Sequence, residues 1–250
     1  MVGKYTFGDS DLAAERMALV AEVFEPSSRA LLDRGVPAGA GLALDLGCGP
    51  GHTTRLVADA CRPRRTVGVD GSERYVELAR ATTPDPTVTF VQHDVTRLPL
   101  PEAPADVVYA RLLLAHLPDP PGLVERWCSQ VRPGGVVVVD EVESIEAPPG
   151  VLREYEGLVV ALVAAEGGPM YAGPLLAPLG GECVEVMVDA AVAARMYGMN
   201  LTTWGDRALG LGLAGSDDLD RVAAGLERVA DGRTRLAPVR WVLRQLVVRR

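Results

Sequence analysis

Five short apolar runs recur between residues 42 and 140: LALDL (42–46), TVGVD (66–70), VTFVQ (88–92), DVVYA (106–110) and VVVVD (136–140). Each is too short for an ordinary helix. Each is also nearly continuous rather than alternating, as expected of strands covered on both faces. Helical spacing fills the gaps at 51–61, 73–81 and 121–131. Strands alternating with helices predict an α/β fold built on a doubly wound, mostly parallel sheet. A sheet of that kind receives its ligand outside the carboxyl ends of its strands. The residues that end each run are therefore the first place to look for function.

The flanks depart from this rhythm. Residues 11–34 have helical apolar spacing, and Pro26 predicts a break, with Ser27 and Ser28 as caps for a second helix. We therefore divide the chain into a helical cap over 1–35 and one α/β domain over 36–250. After Asp140 the alternation stops. A helix is expected from about 150 to 166, a strand at 182–188, helices near 190–198 and 217–230, and a last strand at 240–248 that pairs antiparallel. Those two late strands bring the sheet to seven. Segment 148–180 is punctuated by Gly and Pro and predicts a lid inserted after the fifth strand, within a stretch 148–235 that supplies the acceptor-side elements.

Bulk properties narrow the function classes. A formal charge of −8 disfavours general affinity for DNA or RNA, which needs a basic face. Cys48, Cys61, Cys128 and Cys183 are scattered without a C-x-x-C pair, so neither a zinc site nor a disulfide framework is expected, and no metal is assigned. The N-terminus has no basic start followed by an apolar core, and no apolar run approaches the roughly 20 residues that span a bilayer. The expectation is a cytoplasmic protein acting on a small molecule, without nucleic-acid or membrane partners; a homo-oligomer is left open.

The first strand runs into LGCGPGH, with glycines at 47, 49 and 51. Glycine-rich loops receive dinucleotides, phosphates and S-adenosylmethionine alike. A dinucleotide fingerprint G-x-G-x-x-G would place its third glycine at position 52, which is histidine here. No G-K-[ST] follows for a phosphate loop. Asp45 precedes the glycines, where it can order the loop and favour a cationic ligand. Asp70 ends the second strand about twenty residues on, where ribose hydroxyls need an acceptor. Asp94 and Val95 follow the third strand, suited to an exocyclic amine and a ring nitrogen respectively.

Together these stretches resemble the class I S-adenosylmethionine-dependent methyltransferases, of the small-molecule, type 11/25-like kind. LDLGCGPG looks like their first motif, VGVDGS their second, VQHDV their third, and VRPGGVVVVDE their later turn and strand, over roughly residues 40 to 143. The resemblance implies a Rossmann-like sheet and S-adenosylmethionine as cofactor. It implies that Gly47, Cys48, Gly49 and Gly51 approach the methionine and ribose, Asp70 takes the ribose hydroxyls with Gly71 and Ser72 at its edge, and Asp94 and Val95 read adenine. The backbone near Arg111 would receive the methionine amino group. In the N-terminal segment Tyr5 and Phe7 would fold over the sulfonium side, Phe7 towards the acceptor, and Arg16 would reach the methionine carboxylate.

Methyl transfer from a sulfonium needs alignment and exclusion of water, and a base only where the acceptor must lose a proton. His116 in RLLLAHLPDP is one candidate base; Glu141 and Glu143 after the fifth strand are others. Tyr155, Met170, Tyr171, Asn200 and Trp204 are the candidate acceptor-binding residues, with Met196 and Met199 beside them. The expected activity is methylation of an O, N or C atom of a small molecule of specialised metabolism. Two alternatives stand beside it: a protein that binds the cofactor without methylating, and a nicotinamide-dependent oxidoreductase.

Overall fold

The computed structural model describes residues 10–250. In chain order the elements are α1 (Asp11–Gly35), β1 (Leu42–Leu46), α2 (His52–Cys61), β2 (Arg65–Asp70), α3 (Glu73–Thr82), β3 (Val88–Gln92), β4 (Ala105–Arg111), α4 (Pro120–Cys128) and β5 (Val131–Glu146). There follow α5 (Val151–Ala165), α6 (Gly173–Leu176), β6 (Glu182–Val188), α7 (Ala190–Gly210), α8 (Ser216–Ala230) and β7 (Val239–Arg249). The seven strands form one sheet in the order β3-β2-β1-β4-β5-β7-β6. β1 to β5 run parallel, and β7 lies antiparallel between β5 and β6. The apolar runs earn their central places: every residue of β1 is buried, and Val136 to Val139 of β5 are fully covered.

β1 sits between β2 and β4, and that is where the winding reverses. The loops after β1 and β4 consequently depart to opposite faces and leave a crevice at the strand ends. Separate apolar clusters fill the two faces, one of them under α1 and α2 against β1, β4 and β5. A third cluster joins α5, α7 and α8 to the far end of the sheet.

Three elements correct the sequence expectation. α1 is one helix that carries Pro26 inside it. The prolyl ring removes one backbone donor, but the flanking turns are held from outside. Phe24, Leu31 and Leu32 are buried, and the Ser28 hydroxyl donates to Asp140 Oδ2 at 2.8 Å. Tertiary contacts therefore outweigh the local breaker. α7 runs twelve residues beyond the expected end at 198, because Ala194, Tyr197, Leu201, Trp204 and Ala208 continue a buried stripe. β5 is likewise longer than its apolar core: its continuation to Glu146 is carried by β7, with Glu146 opposite Arg240. Among the described residues no helix is long and apolar enough to cross a membrane.

Candidate functional site

Beyond the carboxyl ends of the parallel strands lies a cavity of about 1640 Å³. That exceeds the roughly 300–1,000 Å³ of a pocket for one small ligand. One half is walled by the loops after β1, β2 and β3; the other by α5, α7, the segment around Met170 and the end of β5.

The glycine loop is shaped by hydrogen bonds and close packing. The N–H groups of Gly47 and Cys48 both donate to the Val69 carbonyl, at 2.8 and 3.1 Å. The Gly49 N–H donates to Asp70 Oδ2 at 2.8 Å, while Asp70 Oδ1 accepts from the Ser72 N–H at 2.8 Å. The carboxylate at the end of β2 is thus clamped to two loops, on the cavity wall. Gly47 and Cys48 also reach that wall, with Gly71 and Ser72. A side chain at Gly71 would meet no protein atom within 4 Å, so backbone there faces open space. Gly49 and Gly51 stand behind the wall. Gly51 has φ +85°, and a Cβ on it would lie 2.9 Å from Phe90 and 3.1 Å from Ala79, so its role is to let α2 close on the sheet.

Asp45 is also behind the wall. It is fully buried, and its Oδ2 accepts from the Thr53 and Thr54 hydroxyls at 2.6 and 2.7 Å. It therefore ties β1 to the first turn of α2; burial pushes its pKa up to about 6, against those hydroxyls. Asp94 and Val95 line the cavity. Asp94 Oδ1 accepts from Thr96 N–H and Oγ at 3.0 and 2.6 Å, and Oδ2 pairs with Arg97 at 3.2 Å. The Val95 carbonyl accepts from Trp127 Nε1 at 3.0 Å, which pins this loop to α4.

Arg16 reaches the cavity from the first turns of α1, with Met17 and Val20 beside it. The Arg111 guanidinium turns towards α1, donating to Ser28 Oγ at 3.3 Å; no ion pair joins it to Glu141 or Glu143. Tyr5 and Phe7 lie outside the described residues.

The three candidate bases separate cleanly. Glu143 is off the cavity wall, held by Arg244 through contacts of 2.7 and 3.0 Å. It is a strand-pairing charge across β5 and β7, which the sequence position alone did not reveal. Glu141 does face the cavity, but its Oε1 accepts from the Leu113 and Leu114 N–H groups at 2.6 and 2.7 Å. Burial drives its pKa up to about 8, with those two N–H groups opposing the rise. His116 lines the cavity at the end of a short 3-10 turn, 114–116. Desolvation first, and the nearby Arg16 cation second, push its pKa down to about 4. The imidazole is therefore neutral at pH 7.

On the acceptor side Tyr155, Met170 and Asn200 line the cavity, whereas Tyr171 and Trp204 support it from behind. The Tyr171 hydroxyl donates to Glu156 Oε1 at 2.8 Å, and Trp204 is wholly buried with its ring 5.7 Å from that of Tyr155. Met196 and Met199 are not on the wall either. Sequence reasoning missed Tyr197, Glu156 and Trp241, all of which are. Helical spacing held the clue for the first: Tyr197 precedes Asn200 by three residues and shares its face.

With this geometry in view, the comparisons with known proteins fall into place. Residues 44–139 match the family model described as a methyltransferase domain. Trans-aconitate 2-methyltransferase of Methylobacterium radiotolerans is 35% identical over 134 residues, 54% of this chain and 50% of that protein. An uncharacterized 37.1 kDa protein in transposon TN4556 of Streptomyces fradiae is 32% identical over 207 residues, 73% of this chain and 58% of that protein. The chain thus matches only about half the length of these relatives. A solved structure from Anaeromyxobacter dehalogenans shares the fold with a TM-score of 0.58 at 22% identity, over 89% of this chain and 95% of that one. Phosphoethanolamine N-methyltransferase 2 of Haemonchus contortus shares it with a TM-score of 0.53 at 17% identity, over 94% of this chain and 58% of that one. The fold is that of the Rossmann-like methyltransferases. The domain in residues 44–139 belongs to the class I S-adenosylmethionine-dependent methyltransferase family.

Proposed function

We propose that this chain is a methyltransferase that takes its methyl group from S-adenosylmethionine and passes it to a small-molecule acceptor. The observation that carries this reading is the Asp70 carboxylate, clamped by the Gly49 and Ser72 N–H groups on the wall of the strand-end crevice. The residues present fit the cofactor. The Asp70 carboxylate, an acceptor-only group on the wall, suits ribose hydroxyls, Gly71 leaves room for the sugar edge, and Asp94 and Val95 offer an acceptor and an N–H to an adenine ring. Gly47 and Cys48 would lie against the methionine portion, with Arg16 as a cation for its carboxylate.

When bound, S-adenosylmethionine supplies a methyl on a cationic sulfur, which leaves as a neutral thioether holding the electron pair of the broken bond. The chain's own work is to hold the acceptor in line and keep water out. Val159, Val163 and Met170 cover the acceptor half with apolar surface. His116, neutral at pH 7, can hydrogen-bond an acceptor, while a pKa near 4 makes it a weak base for removing a proton. A nicotinamide dinucleotide fits less well. His52 stands at the first turn of α2, where a pyrophosphate needs bare backbone, with its Nδ1 at 3.0 Å from Arg55. Incubation with methyl-labelled S-adenosylmethionine and a panel of small acceptors tests the proposal. Label transferred to an acceptor is the expected result; binding of the cofactor without transfer across the panel would favour a non-methylating role.

A further inference from the structure

The acceptor half of the cavity has a composition of its own. Tyr155 and Tyr197 stack with ring centroids 4.2 Å apart and planes 11° from parallel, and Trp241 lies beside Tyr197. All three line the cavity, Tyr155 and Tyr197 as almost fully buried rings that give it small parts of their surface beside Trp241. The Tyr155 hydroxyl and Asn200 Oδ1 are buried without a hydrogen-bond partner among the described residues, and the Tyr197 hydroxyl and Trp241 Nε1 lie close enough for the indole to oppose the burial-driven rise of the phenol's pKa without meeting in hydrogen-bonding geometry. Asn200 and Trp204 lie close enough to the Tyr155 hydroxyl to temper its acidity, yet neither meets it in hydrogen-bonding geometry. Buried polar groups left in this state are costly unless a ligand completes them.

Charge narrows the ligand further. Glu141, Glu156 and Glu166 line the cavity, as do the cations Arg16, Arg97 and Arg111. Burial holds Glu141 protonated at pH 7 and the Arg111 guanidinium turns to Ser28, which leaves Glu156 as the carboxylate beside the aromatic residues. Glu166 is paired with Arg207 at 3.2 Å. Glu156 accepts the Tyr171 hydroxyl on Oε1, and its Oε2 has no hydrogen bond among the described residues. A carboxylate beside stacked aromatic faces attracts an ammonium both by charge and by the ring quadrupoles. A ligand carboxylate placed there would be desolvated against the like charge of Glu156.

On the methyltransferase reading, we propose that the acceptor is an amine carried on an apolar, ring-bearing framework, its ammonium against Glu156 and its ring on the Tyr155, Tyr197 and Trp241 wall. A polycarboxylate would set like charge against Glu156 and is disfavoured there, in contrast to the substrate named for the trans-aconitate relatives.

Calorimetry with the matched pair tyramine and 4-hydroxyphenylacetate, and with trans-aconitate, tests this. The pair shares one ring and differs in the sign of its charge. Tyramine should bind protein saturated with S-adenosylhomocysteine at least tenfold more tightly than either acid, about 1.4 kcal/mol. Glu156→Gln keeps an acceptor for Tyr171 and should erase most of that preference, with S-adenosylhomocysteine affinity unchanged. Equal affinities, preference for either acid, or no binding of tyramine would overturn the inference. The cofactor titration is scored separately. If S-adenosylhomocysteine does not bind, the methyltransferase reading fails, and the same pair titrated into ligand-free protein still decides the amine preference of the wall.

Discussion

Asp70 is the residue on which the cofactor half turns. It ends β2, accepts two loop N–H groups, and lines the cavity. Asp70→Ala should weaken S-adenosylhomocysteine binding by roughly 1.5–3 kcal/mol, more than tenfold, as a lost charge-assisted hydrogen bond predicts; an unchanged dissociation constant would remove its ribose role. Glu141 yields a prediction of a different kind. Its pKa is raised from 4.5 to about 8 by burial, so the folded state holds a proton that the unfolded chain releases. Stability from this group is therefore lost as pH rises from about 4.5 towards 8. Glu141→Gln keeps an oxygen for the Leu113 and Leu114 N–H groups without that titration. The melting temperature of the variant should gain on wild type progressively across that window, and a constant difference would contradict the assignment. Strand-end aspartates and the glycine spacing were legible in the chain because they are local. The ion pair that takes Glu143 off the site was not, since its partner Arg244 is 101 residues away.

At the scale of elements, periodicity revealed type better than extent. Apolar runs located the five parallel strands, but β5 continues beyond its apolar core because β7 pairs with it, a long-range event invisible in either segment. Pro26 is the sharper lesson. Its local meaning is a helix end, and the helix persists because Phe24 and Ser28 on either side are locked into the core and onto Asp140. Since Pro26 itself is exposed, Pro26→Ala should restore a backbone donor without disturbing packing. A stabilisation of about 1–3 kcal/mol in urea unfolding is expected. A destabilised variant would show that the ring makes a contact the helix needs. α7 likewise outran its expected end, since Leu201, Trp204 and Ala208 continue its buried stripe.

For the molecule as a whole, the topology turns a linear order of motifs into one crevice. The reversal at β1 opens the strand ends, and the late elements α5 and α7 roof the opening with aromatic and acidic side chains. On the proposed reading, cofactor and acceptor would meet between the part of the chain that matches a methyltransferase domain and the part that lies beyond it. A ligand bound to the folded state alone should raise the melting temperature in proportion to its occupancy. S-adenosylhomocysteine should do so in wild type and lose the effect in Asp70→Ala. The central claim is that the strand-end crevice holds S-adenosylmethionine, and titration calorimetry with S-adenosylhomocysteine and, in parallel, NAD⁺ tests it most directly. One molecule of S-adenosylhomocysteine bound per chain, with no heat from NAD⁺, is the predicted result; binding of NAD⁺ in preference, or no binding of S-adenosylhomocysteine, would contradict it.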